Sequence, residues 1–91
     1  MKDRIYLKKY KNDNGIGVIK TDLGFSWFIE YEEGWFIEYP IIYGHKKRAG
    51  FNHPERIGKK LIEDFYRILN EYNFKIPMEL KKQIINLRSG Q

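Results

Sequence analysis

A chain of 91 residues makes one small domain, which buries only about 60–65% of its unfolded surface and has little stability to spare. Aromatic residues are 16% of the chain and supply large buried areas, while a 32% charged share calls for a solvated surface. The absence of cysteine excludes disulfides and thiolate metal sites. The longest apolar stretch is too short for a membrane span, and the opening MKDRIYLKKY lacks the apolar centre of a signal peptide, so a cytoplasmic protein is the expectation.

Arg4–Lys11 (RIYLKKYK) reads as a first strand, with Ile5 and Leu7 on one face and Tyr6, Lys8 and Tyr10 on the other. Asn12-Asp13-Asn14-Gly15 is a cluster of residues that tolerate positive φ, and Ile16–Leu23 follows as an antiparallel second strand. Asp22-Leu23-Gly24 turns the chain into Phe25–Tyr31. The word WFIEY then occurs twice, at Trp27–Tyr31 and Trp35–Tyr39, separated by Glu32-Glu33-Gly34. A three-residue loop with glycine in the left-handed position is a common hairpin connection. It sets Tyr31 opposite Trp35, Ile29 opposite Ile37 and Trp27 opposite Tyr39 on one face. Phe28 then opposes Glu38, and Glu30 opposes Phe36, on the other face. A slip of one residue would scramble both faces, so the pattern selects one register. Pro40 marks a strand end or an edge, with Ile41–Tyr43 continuing beyond an irregularity.

Residues 44–53 form a basic loop. Pro54 suits a first helical position, with His53 or Asn52 as the cap, and Ile57, Leu61, Phe65, Ile68 and Tyr72 recur at helical spacing. A helix over 54–73 is predicted, with Gly58 as its weak point. A second helix over 77–89 carries Ile76, Leu80, Ile84 and Leu87 on its apolar side. The predicted fold class is α+β: a four-stranded, mostly antiparallel β-meander over 1–43, followed by two C-terminal helices packed on the Trp27/Ile29/Tyr31/Trp35/Ile37/Tyr39 face.

The charge is uneven. Lys46, Lys47, Arg48, Arg56, Lys59 and Lys60 face Glu55 alone between residues 45 and 60, so the whole net charge of +5 lies there and the rest of the chain balances. A basic loop that opens a helix adds side-chain charge to unpaired backbone amides, a combination suited to phosphate. His45 and His53 lack the carboxylates that would complete a metal set, and Glu30 and Glu38 read as surface residues of the sheet. No P-loop, nucleophile elbow, zinc motif or calcium loop is present, so neither catalysis, nor a metal, nor a cofactor is expected.

Gly58 and Leu61, after a strand and a loop, resemble the end of the acetyl-CoA loop of the GNAT acetyltransferases. The family's first glycine position holds Arg56 here, and its Gln/Arg position holds His53. The likeness covers one turn of helix and implies an acetyltransferase only as a remote alternative. The leading expectation is a non-enzymatic domain that contacts nucleic acid through Lys46, Lys47, Arg48, Arg56, Lys59 and Lys60. Its rival is a protein-interaction module of the kind that phages and mobile elements encode to inhibit a host protein. That module would use Phe28, Glu30, Phe36 and Glu38, or would pair with a second copy through an edge strand.

Overall fold

The computed structural model describes residues 4–22, 24–32, 34–40, 51 and 53–89. Strands β1 (Arg4–Lys9), β2 (Gly15–Thr21), β3 (Gly24–Tyr31) and β4 (Trp35–Pro40) form one sheet in the order β1-β2-β3-β4, each antiparallel to its neighbour. Three helices follow: α1 (Pro54–Ile57), α2 (Lys59–Glu71) and α3 (Met78–Ser89).

The register of the doubled word is the predicted one. Tyr31 opposes Trp35, Ile29 opposes Ile37, Trp27 opposes Tyr39, Glu30 opposes Phe36 and Phe28 opposes Glu38. Gly34 in the connecting turn has φ 93°, a conformation that costs glycine little. On the other side of β3, Ile29 opposes Ile16 and Trp27 opposes Val18, so these apolar residues share a face with Tyr31. Onto that face pack Ile57, Leu61, Phe65, Ile68 and Leu69 from α1 and α2, with Ile76 ahead of α3 and Leu80 and Ile84 within it.

The helix predicted over 54–73 is divided. Gly58 has φ 97° and ψ 139°, which turns the chain sharply between α1 and α2. Its N–H still bonds the Pro54 carbonyl at 2.9 Å, and its own carbonyl accepts the Ile62 N–H at 3.1 Å, so the break loses few backbone bonds. The apolar spacing runs through the break unchanged, which is why periodicity alone reads one helix. Leu87 also departs from expectation. It is half-exposed and lines an open groove with Ile5, Gln83 and Asn86, because α3 ends beside the edge strand β1.

The sheet face away from the helices seals itself. Ile19, Ser26 and Phe28 are buried there although no described helix covers them. The Tyr6 ring meets Phe28 edge-on at 5.2 Å, Phe36 lies 5.5 Å from Phe28, and the Arg4 guanidinium sits 4.6 Å over the Phe36 ring. Two glycines of β2 make this possible. A Cβ on Gly15 would come within 2.7 Å of the Tyr6 ring, and one on Gly17 within 2.0 Å of the Ile5 carbonyl oxygen.

Strand β1 does not alternate as its sequence implies. Tyr6 opposes Gly17, but Lys8 opposes Ile16 and Lys9 opposes Gly15, so an extra residue is inserted between Tyr6 and Lys8. Lys8 therefore lies on the helix side together with Tyr10, which packs against the core, and Lys9 lies on the outer side. The expectation that Lys8 and Tyr10 share a face with Tyr6 is corrected by this bulge.

These glycines yield a test. Gly17→Ala meets backbone that cannot move aside and is expected to cost about 3 kcal/mol or more. Gly34→Ala meets nothing within 4 Å and bears only its positive φ, at about 1–2 kcal/mol. Urea midpoints of the two variants check the ranking.

Candidate nucleic-acid interface

Asp64 falls within the apolar stripe of α2, between Leu61 and Phe65, and the helix carries it under the surface. A carboxylate taken out of water must be supplied with partners. Four donors meet it. Oδ2 accepts the Tyr10 O–H at 2.5 Å and Lys8 Nζ at 3.2 Å, both from the β1 side. Oδ1 accepts Lys60 Nζ at 3.0 Å and Arg67 Nη2 at 3.1 Å, both from its own helix. The hydrogen bond from Tyr10, against the opposing effect of burial and with help from Lys60 and Lys8, holds the carboxyl well below the usual carboxylate range. Burial, reinforced by the bond to Asp64 and its charge, pushes the Tyr10 phenol above its usual value.

Three cations thus surround one anion. The Asp64 side chain is only 3% exposed, whereas those of Lys8, Lys60 and Arg67 are 37%, 75% and 58% exposed. What reaches solvent is a tight group of positive charges with two units in excess of the carboxylate.

The predicted basic residues distribute around this group. Lys46, Lys47 and Arg48 lie outside the described residues. Lys60 belongs to the Asp64 cluster, and Lys59 is exposed at the first residue of α2. Arg56 donates from Nε to Glu32 Oε2 at 2.9 Å, so part of its charge is offset while it ties α1 to the β3–β4 turn. Lys8 and Arg67 were not among the candidates. The signal that points to them is an aspartate at a core position of an amphipathic helix, flanked by Lys60 four residues before it and Arg67 three after.

On the outer face, Phe28 is fully buried, which corrects its placement among contact residues; Tyr6 and Phe36 cover it. Glu30 accepts from Tyr6 O–H at 2.6 Å, Arg4 Nη1 at 2.7 Å and Lys9 Nζ at 3.3 Å. Burial works to raise its pKa, but the bonds from Tyr6 and Lys9 and the charges of Lys9 and Arg4 outweigh burial and hold it below the usual range. Phe36 is half-buried and Glu38 exposed. His45 lies outside the described residues, and the exposed His53 has Nδ1 3.6 Å from Glu55 Oε1. Among the described residues no group of three His, Cys, Asp or Glu side chains is placed to hold a metal, and no helix is long and apolar enough to cross a membrane.

The Asp64 network sets a pH dependence. Its folded pKa lies below the unfolded value of about 3.9, so its stabilisation is complete above about pH 5 and is lost as pH falls through that value toward the folded one. Asp64→Asn is expected to destabilise by about 2–4 kcal/mol at pH 7, and Tyr10→Phe by about 1–3 kcal/mol. Urea unfolding at pH 7 and pH 3 checks both, and the penalty for Asp64→Asn should shrink at the lower pH.

With the geometry in place, comparison adds no relative. No family model matches this chain, and neither a curated protein nor a solved structure is significantly similar to it, so a functional reading rests on the chain's own residues.

Proposed function

We propose that this chain is a small, non-enzymatic domain that contacts the phosphate backbone of nucleic acid through its basic side. The observation that carries the reading is the convergence of Lys8, Lys60 and Arg67 on one buried carboxylate, which leaves a fixed positive excess at the surface. Lys59 extends that surface, and Lys46, Lys47, Arg48 and Arg56 contribute the remaining charge of the 45–60 segment. Guanidinium groups would bind phosphate in a fork, and the lysines would act as point charges. Contacts of this kind release counterions and do not read base sequence.

A second reading has its own support. Arg4, Tyr6 and Phe36 form an ordered group on the outer sheet face, pinned by Glu30, and residues of these types dominate the binding energy of many protein interfaces. A protein partner would land there rather than on the basic side.

Fluorescence anisotropy with single-stranded and duplex oligonucleotides separates the readings. Binding should fall steeply between roughly 50 and 200 mM salt. Simultaneous Lys46→Glu, Lys47→Glu and Arg48→Glu should abolish binding with the thermal midpoint unchanged. No binding by the unaltered chain at low salt would end the nucleic-acid reading. A nuclease-resistant protein partner, lost on Tyr6→Ala, would favour the second.

A further inference from the structure

We propose that Lys8, Lys60 and Arg67 form a preset clamp for a backbone phosphodiester, with the buried Asp64 as the residue that positions them. This rests on the nucleic-acid reading and deepens it, because it names the ligand group and moves the centre of contact from the 46–48 run to the junction of β1 and α2.

The first argument is stoichiometric. One cation neutralises a carboxylate, yet three are held within 3.2 Å of Asp64. Tyr10 already supplies a neutral donor, and charge balance alone asks for one cation, not three. The second argument is valence. A carboxylate offers about four acceptor positions, and Tyr10, Lys8, Lys60 and Arg67 fill them. Each ammonium spends one of three N–H donors on Asp64, and the contact recorded for Arg67 spends one of its five. The rest have no second acidic partner among the described residues and project from exposed side chains.

The third argument is order. Lysine and arginine side chains normally lose much conformational freedom on binding, and a shared anchor removes part of that loss beforehand. Lys8 comes from a strand and the other two from a helix far later in the sequence, so the group exists only in the folded chain. The three charged groups crowd around a single carboxylate. That places them within reach of one phosphodiester and its neighbour along a strand.

The clamp makes a prediction opposite to simple charge counting. Asp64→Asn raises the net charge by one unit, and long-range attraction alone would then tighten binding. If Asp64 positions the cations, the same change weakens binding and flattens the salt dependence. Lys8→Gln and Arg67→Gln should each weaken duplex binding several-fold and lower the slope of log K against log salt by about one.

Since Asp64→Asn removes a stabilising residue, the unaltered protein provides the second measurement. In an NMR titration with inorganic tripolyphosphate, the side-chain resonances of Lys8, Lys60 and Arg67 should shift together and saturate at one concentration. Shifts confined to other lysines, or full duplex affinity and slope in Lys8→Gln/Arg67→Gln, would overturn the clamp while leaving the nucleic-acid reading in place. Shifts at these three residues without any oligonucleotide binding would instead support the phosphate clamp and remove nucleic acid as its source. Tighter duplex binding by folded Asp64→Asn would show that Asp64 does not position the group.

Discussion

The whole domain depends on β3 being covered on both faces when helices are available for only one. Trp27, Ile29 and Tyr31 point to the helices, while Ser26 and Phe28 point away, and all five are buried. Among the described residues no third layer lies on the outer face. Side chains of the sheet itself pack over Phe28 on the outer face: Tyr6 and Arg4 from β1 and Phe36 from β4. These side chains need room, and Gly15 and Gly17 supply it in the neighbouring strand β2. The aromatic excess of the composition and the glycines of β2 are two parts of one solution.

The hairpin was legible because its information is local. The repeated word, its period of two and the three-residue turn fix one register without reference to the rest of the chain. The helix-side face followed from the same alternation. Other features depend on distant residues or on a single backbone angle. Nothing in RIYLKKYK marks the inserted residue between Tyr6 and Lys8, and the stripe Ile57–Leu61–Phe65 is equally periodic with or without a turn at Gly58. Whether Phe28 is open or covered turns on Tyr6, more than twenty residues earlier, which packs against it. The basic run was visible as composition. The assembly of Lys8 with Lys60 and Arg67 was not, since it forms through a strand–helix contact whose one local trace is an aspartate in an apolar stripe.

Two carboxylates hold β1 from opposite sides of the sheet. Asp64 takes Lys8 and Tyr10 on the helix side, and Glu30 takes Arg4, Tyr6 and Lys9 on the outer side. As an edge strand, β1 risks pairing with other chains, and charged side chains with a bulge are a common defence. The same charges give the two surfaces different characters. On the outer side Glu30 is met by Arg4 and Lys9 and is accompanied by the exposed Glu38, so the field there is nearly balanced. Around Asp64 the cations prevail. The sheet thus separates a mixed, aromatic surface from a positive one, even though both draw on the same six-residue strand.

The bulge gives β1 something like a reading frame. Upstream of it, odd positions face the helices; downstream, even ones do. Were the same residues to pair without the bulge, alternation would run on from Tyr6 and send Lys9 toward the Asp64 side and Lys8 toward the Glu30 side. The electrostatic map of both surfaces is therefore written in how the strand pairs as much as in the kinds of its residues. Loss of the bulge would thus exchange charge between the two surfaces with the net charge unchanged.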